Sequence, residues 1–302
     1  MAQNEATKVA ILVCGINGAG KSTYINGVIR PALDQQGMEY VYINADDWQK
    51  KQFASFQNET DEHAKAAQVW ANTERDRCIR EGQSFVTETV FSHPSKLEVI
   101  EEAQSAGLQV HLFHIHVDNA DTVLHRINNR IKEGGHSVPA DKVLSRYQRI
   151  LPIIKEAALK ADRAYLLDNS IAGDSHRVVM KLEHGKITKL FSEPPQWIQN
   201  SYAEQLNEWH SEVYGSMPSN TEYRLHQFAA LTQQYSETKD PNLLQESEEL
   251  RQAIIGDLAS LKDSPRYDDV QILFKTDVHK YGLNMALHST DYTQDKHHSP
   301  SM

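Results

Sequence analysis

The sequence predicts an α/β fold: a mostly parallel five-stranded sheet with helices on both faces, followed by a C-terminal helical extension. Three observations carry this. Up to about residue 190, short apolar runs alternate with amphipathic stretches, the pattern of helices packed on a parallel sheet. The first run passes directly into "GINGAGKST" at residues 15–23, a complete match to G-x-x-x-x-G-K-[ST] at a strand-to-helix junction. At "SEPPQWIQN" the texture turns polar and helical, and no further apolar run of strand type stands out.

The strands come in order as "KVAILVC" (8–14), "EYVYIN" (39–44), "SFVTETVF" (84–91), "LQVHLFHIHV" (108–117) and "RAYLLDN" (163–169). Helical stretches lie near residues 21–35, 62–81, 94–106, 120–132 and 140–161. "RVVMKLEHGKITKLF" holds two short runs around "EHG" and predicts an antiparallel hairpin closing the sheet. Beyond Pro194 and Pro195, helices are expected over 196–214, 221–237 and 242–261, with breaks at "GSMPSN" and "KDP". The expected organisation is residues 1–195 as the sheet domain, 196–290 as an acidic helical module, and 291–302 as a disordered polar tail.

Composition narrows the function classes. The hydrophobic fraction is 39% and the charged fraction 24%, ordinary values for a globular chain with a real core. No apolar run reaches membrane-spanning length, and "MAQNEATK" lacks the order of a signal peptide, so the expectation is a cytoplasmic protein with no membrane partner. The net charge is -10, and 16 acidic against 8 basic residues lie from Asn200 onward. That argues against a nucleic-acid binder, which needs a strongly basic face. Cys14 and Cys78 fall in regular structure and suit reduced, packed thiols.

The chemistry starts at the loop. Gly15, Gly18 and Gly20, with Asn17 and Ala19 between them, let successive backbone N–H groups turn inward around a β-phosphate. Lys21 reaches the β- and γ-phosphates, the Ser22 hydroxyl is placed to ligate Mg²⁺, and Thr23 continues the helix whose N-terminus adds its dipole. A nucleoside triphosphate is therefore expected here. In an open α/β sheet the remaining site residues belong at the carboxyl ends of the strands. The second strand runs into "INADDW" with Asp46 and Asp47, and the third carries Glu88 among apolar and β-branched residues. Asp46 reads either as a base toward a substrate hydroxyl or as a helix N-cap, and Glu88 either as a site carboxylate or as a buried ion-pair partner.

Between residues 120 and 154 stand His125, Arg126, Arg130, Lys132, His136, Lys142, Arg146 and Arg149. Gly134 and Gly135 divide them into two helices and offer a hinge, so this is either a mobile lid that closes on phosphates or a solvated basic face. Arg146 and Arg149, three apart, are expected to point at one target. The alternating histidines of "HLFHIHV" put His114 and His116 on one strand face and read as packed histidines rather than metal ligands.

Taken together, "GINGAGKST", "INADDW", "TETVFSHPSK" (87–96), "RIKEGGHSVPADKVLSRYQR" (130–149) and "ADRAYLLDNS" (161–170) resemble the zeta-toxin family of P-loop kinases over about residues 7–195, particularly its shorter bacterial members of UDP-N-acetylglucosamine kinase type. The resemblance implies an ATP- or GTP-dependent, Mg²⁺-assisted phosphorylation of a hydroxyl on a small nucleotide-sugar-like substrate. By position it implies Asp46 as the catalytic base, Lys21 as the loop lysine, Glu88 as a substrate-binding glutamate, and Arg146 and Arg149 as lid arginines. Asn44 and Thr89 go with Asp46 and Glu88 to the acceptor, and Arg130 goes to the nucleotide. Toxic members of the family are held inactive by a small helical antitoxin, so the acidic extension raises the hypothesis of an inhibitor fused in cis, beside an antitoxin in trans or a plain interaction module. Other readings stay open: a P-loop NTPase whose output is conformational, a kinase for another acceptor such as a dinucleotide, and a non-enzymatic nucleotide-binding scaffold.

Overall fold

The computed structural model describes residues 7–53, 61–132, 139–171, 176–218, 220–264, 266–269 and 272. The chain divides into two units, Met1–Lys189 with Pro195–Tyr202, and Leu190–Pro194 with Ala203–Met302. The short helix beginning at Gln196 thus clusters with the sheet, and the second unit is otherwise made of residues from Ala203 onward.

The first unit is built on β1 (Val9–Cys14), β2 (Val41–Ile43), β3 (Phe85–Thr89), β4 (Gln109–His116), β5 (Arg163–Asp168), β6 (Arg177–Glu183) and β7 (Lys186–Leu190) in the order β2-β3-β1-β4-β5-β6-β7. The first five are parallel, as the run pattern predicts, and β6 joins β5 antiparallel. The sheet therefore has seven strands rather than five, the extra two being the predicted hairpin. Its turn works because His184 (φ 48°) and Gly185 (φ 79°) both take positive φ, the requirement of the tight turns that match strand twist. β1 is buried along its whole length, which explains why its sequence is a continuous apolar run with no alternation.

The helices are α1 (Lys21–Tyr24), α2 (Arg30–Gln35), α3 (Ala45–Phe53), α4 (Asp61–Arg80), α5 (Glu98–Ser105), α6 (Ala120–Lys132), α7 (Ala140–Lys160) and α8 (Gln196–Ser201). Between α1 and α2 the chain forms a π-helical turn, Ile25–Ile29, directly behind the glycine-rich loop. Such turns concentrate at functional sites because they re-aim the residues before them. In α7 the buried positions Val143, Ile150, Ile154, Ala157 and Ala158 fall on one stripe that packs on the sheet, and the helix runs through Pro152.

β1 lies between β3 and β4, and the β1-to-β2 and β3-to-β4 connections run in opposite directions across the sheet. That is the topological switch point, where a crevice opens beyond the strand ends. The register brings Glu88 beside Val13, Thr89 beside Cys14, and Thr87 beside Ile43. The histidines of β4 turn to packing: His114 is fully buried and lies with His116 against the Trp197 ring of α8. Both thiols are free and buried, and Cys14 is pushed far up in pKa by burial.

The second unit contains α9 (Ala203–Gly215), α10 (Thr221–Thr238) and α11 (Pro241–Ser260). Its core includes Leu206, Trp209, Val213, Leu225, Phe228 and Ile254, and Asp257 of α11 accepts from Thr221 (2.8 Å) and Arg224 (2.6 Å) of α10. Among the described residues no helix is long and apolar enough to cross a membrane. The expected glycine hinge, His136 and the tail at 291–302 lie outside the described residues.

Candidate active site

Loop 15–20 leaves β1 and is forced into shape by glycines. A side chain at Gly15 would run into the Ile115 carbonyl. Gly20 sits at φ 96°, where a Cβ would stand 2.6 Å from His176 Nε2 and 2.7 Å from Asn169 Nδ2. These two neighbours hold the loop from outside: Asn169 Nδ2 donates to the Ala19 carbonyl at 2.8 Å, and His176 Nε2 donates to the Gly20 carbonyl at 3.0 Å. Burial lowers the His176 pKa, favouring the neutral ring. With these carbonyls satisfied, loop N–H groups and the start of α1 remain for an anion.

Lys21 is only 5% exposed. Its Nζ donates to the Ile16 carbonyl at 3.0 Å and lies 3.6 Å from Glu88 Oε1. Glu88 Oε2 accepts from Ser22 Oγ at 2.8 Å and from Asn44 Nδ2 at 3.4 Å. The ion-pair partner of Glu88 is thus the loop lysine itself.

Asn44 ends β2 and caps α3: its Oδ1 accepts from the Asp47 amide at 3.1 Å, while its Nδ2 donates to the Tyr42 hydroxyl at 2.8 Å. Burial, the largest influence, leaves that phenol pushed up to about 12. Because Asn44 is the cap, Asp46 is released from that duty. Asp46 stands in the first turn of α3, half exposed, and its Oδ2 accepts from Arg130 at 3.2 Å. Asp46 lines the cavity and Asp47 does not.

That cavity, about 580 Å³, is lined by Asn17, Gly18, Gly20, Lys21, Ser22 and Thr23 of the loop and α1. Opposite stand Asn44, Asp46, Glu88, Thr89, Arg126 and Arg130. Arg126 and Arg130, four apart on α6, reach it together, and Arg126 is steadied by the Asn169 carbonyl at 2.9 Å. Arg146 comes from α7 and donates to Asn17 Oδ1 at 3.2 Å. Arg149 does not join it: its Nε donates to the Ser145 carbonyl of its own helix at 3.1 Å, and it lines neither this cavity nor the next.

A second cavity of about 280 Å³ shares Ala45, Glu88, Thr89 and Val90 with the first and continues toward α4 and α5. Phe91 in its wall holds φ 58°, and its amide donates to Thr89 Oγ1 at 3.2 Å. A non-glycine residue in that region costs about 1–3 kcal/mol, a strain typical of functional sites. The sequence reading named Arg126 only as one of the basic residues of a lid or solvated face, and it missed Asn169 and His176 as site residues. Only the position of Asn169 at a strand end could have suggested either of them.

The arrangement suits phosphoryl chemistry. It has an anion-binding loop, two oxygen donors one hydrogen bond apart at Ser22 and Glu88, an accessible carboxylate at Asp46, and arginines from two helices. The Zeta toxin family profile matches residues 1–172. An uncharacterized protein of Haemophilus influenzae is 29% identical over 141 residues, 46% of this chain and 91% of that protein. Among solved structures, the AvrRxo1-ORF1:AvrRxo1-ORF2 complex with sulphate ions includes a similar chain at 15% identity and TM-score 0.49, with 62% of each chain covered, so the match spans less than two thirds of that protein. A structure from the PezAT chromosomal toxin-antitoxin system of Streptococcus pneumoniae aligns at 16% identity and TM-score 0.45, covering 68% of this chain and 88% of its own.

Proposed function

The chain belongs to the zeta-toxin family, and from that premise we propose that it is a nucleotide-dependent kinase transferring the γ-phosphoryl group of ATP or GTP to a hydroxyl of a small molecule. One observation carries the reading. Lys21 and Ser22 of the phosphate loop and the accessible Asp46 line one cavity, with Glu88 bonded to Ser22 beside them. A donor anchored on the loop then has a carboxylate facing its γ-phosphate.

The residues divide the work. Loop amides and Lys21 hold the β- and γ-phosphates, and Asp46 takes the proton from the acceptor hydroxyl. The acceptor oxygen forms the new P–O bond as the bond from the γ-phosphorus to the β–γ bridging oxygen breaks, leaving the diphosphate on the loop. Arg126 and Arg130 line the cavity and Arg146 bonds to its loop residue Asn17, so these three would neutralise charge on the transferred group, and catalysis is mainly positioning and electrostatics. The donor set also fits Mg²⁺, which takes oxygen ligands and keeps several waters: Ser22 would hold it directly and Glu88 through water. When bound, the metal supplies charge neutralisation on the β- and γ-oxygens.

The acceptor to test first is UDP-N-acetylglucosamine, as the sequence resemblance implies, with dinucleotides next. We assign regulation to a helical partner, either an antitoxin in trans or residues 203–302 in cis. The chain lacking those residues would then turn over ATP faster or slow cell growth. Unchanged turnover and growth would remove the cis version.

The test of the central claim is diphosphate release across a panel of sugar nucleotides, dinucleotides and nucleosides, with Asp46→Asn as the control. The variant should lose transfer by about 10²–10⁴-fold while binding nucleotide nearly normally. Retained transfer would take the base role from Asp46. Hydrolysis stimulated by a protein partner, with no acceptor in the panel, would favour an NTPase with conformational output.

A further inference from the structure

We propose that Arg75 and Lys96 form an anion subsite in the second cavity that binds a phosphate or carboxylate group carried by the acceptor itself. This rests on the kinase reading above and deepens it by assigning the side chains that would hold the acceptor's anionic group.

The argument begins with how the two cations are held. Arg75, on α4, is 14% exposed. It donates through Nη1 to Asn72 Oδ1 at 3.0 Å and through Nη2 to Asp76 Oδ1 at 2.8 Å, and its buried Nε has no hydrogen-bond partner among the described residues. Lys96 arrives from a different element, the 3₁₀ turn Pro94–Lys96, and donates to the same Asn72 Oδ1 at 3.3 Å. Two cations from separate parts of the fold thus converge on one neutral amide oxygen. An arginine offers five donors and a lysine three, so most of their capacity is unspent. A buried donor left unspent costs free energy, and two like charges held together cost more.

Asp76, paired with Arg75 at 2.8 Å, offsets only part of this charge. Asp76 is 47% exposed, where solvent screens it. Glu88 is the one carboxylate among the residues lining the second cavity, and it is already engaged by Lys21 and Ser22. Arg146 adds a third cation to the lining. Burial, and then the Arg75 charge, lower the Lys96 pKa, as expected of an ammonium waiting for an anion.

Position makes the site an acceptor site. The cavity shares Glu88, Thr89, Val90 and Ala45 with the nucleotide cavity, so an anion held at Arg75 and Lys96 leaves the rest of its molecule facing Asp46. At about 280 Å³ it lies at the lower edge of small-molecule sites, so the part that enters is compact. A tetrahedral phosphate and a planar carboxylate both match the arginine fork.

The test uses the full chain saturated with the β,γ-imido analogue of ATP, which fills the loop, and titrates inorganic phosphate and acetate calorimetrically. The expected result is binding of one further anion, weakened about tenfold or more by Lys96→Gln, with analogue affinity within about twofold. Arg75→Lys should weaken it too, keeping the charge but losing the fork. No second anion in the wild type, or equal binding in both variants, overturns the proposal and leaves the two cations as pins on Asn72. A parallel diphosphate-release assay compares hexoses with their phosphate esters and hydroxy acids with their methyl esters. Transfer confined to the charged member of each pair supports the subsite and identifies phosphate or carboxylate as the group, whereas equal use of neutral members overturns it. Anion binding without transfer to any compound keeps the subsite and defeats the kinase reading.

Discussion

Replacing Glu88 by Gln should tighten metal-free ATP binding, although it removes a group from the site. Glu88 Oε1 lies 3.6 Å from a Lys21 ammonium that is 5% exposed. At the effective dielectric that describes such pairs, their gross attraction is about 5 kcal/mol. Desolvation offsets most of it, and Lys21 keeps its bond to the Ile16 carbonyl, so the net value is about 1–2 kcal/mol. Glutamine preserves an oxygen for Ser22 and loses only the charge. Without metal, the γ-phosphate must take Lys21 from Glu88 and then stand beside the carboxylate it displaced. The variant removes both costs, so the dissociation constant for ATP in EDTA should fall about 5- to 30-fold, and the nucleotide-free protein should melt a few degrees lower. With excess Mg²⁺ the advantage should vanish and turnover should drop, because the carboxylate proposed to hold the metal through water is gone. Displacement of a fluorescent nucleotide in EDTA and in Mg²⁺ reads both limbs. Equal metal-free affinity for wild type and variant would refute the idea that Glu88 occupies Lys21 before nucleotide does.

Other perturbations probe different parts of the site. Gly20→Ala puts a methyl 2.6 Å from His176 Nε2 and 2.7 Å from Asn169 Nδ2 at a φ of 96°, so it should weaken nucleotide binding by about 100-fold and lower the melting temperature, both measurable by thermal shift with and without ATP. Arg146→Ala should cut kcat by about 10²-fold or more while Arg149→Ala leaves it within about twofold, since one guanidinium bonds to the loop residue Asn17 and the other to its own helix. Because Lys96 has a folded-state pKa below the ordinary 10.5, anion binding at the second cavity should decline as pH rises toward that lowered value. Lys96→Arg should retain binding at a pH where the wild type has lost it, as anion titrations across pH would show.

How much of this was legible in the sequence depends on how each residue's role is encoded. The loop was readable because its chemistry is local: glycines, lysine and serine act through the backbone that carries them. Glu88 was readable because a carboxylate inside a run of apolar and β-branched residues is costly without a partner. Asp46 was half readable. The sequence could not tell which residue caps α3, and only the Asn44 side chain on the Asp47 amide shows that Asp46 is not the cap and pairs with Arg130 instead. Arg126 could be read only as either a lid residue or part of a solvated face, and Arg75 not at all, because an arginine on an amphipathic helix looks the same whether it faces water or a crevice. The pairing of Arg146 with Arg149 failed for a related reason. Positions three apart on an α-helix are separated by about 60° around the axis, enough for one to reach the loop while the other lies along the surface.

Glu88 occupies the place where these observations meet. It is the penultimate residue of β3 beside β1, lines both cavities, and binds the lysine and serine of the phosphate loop. In the nucleotide-free protein it therefore satisfies the phosphate loop and leaves the second cavity without a free carboxylate. Of the cations lining that cavity, Arg75 is paired with Asp76, and Lys96 bonds to the neutral Asn72 amide. If an anionic acceptor neutralises Arg75 and Lys96, and nucleotide with its metal neutralises Lys21, each event removes charge that Glu88 alone cannot balance. Binding of donor and acceptor should then be coupled through this one side chain. Acceptor affinity should differ between the nucleotide-free and nucleotide-loaded protein, and Glu88→Gln should shrink that difference.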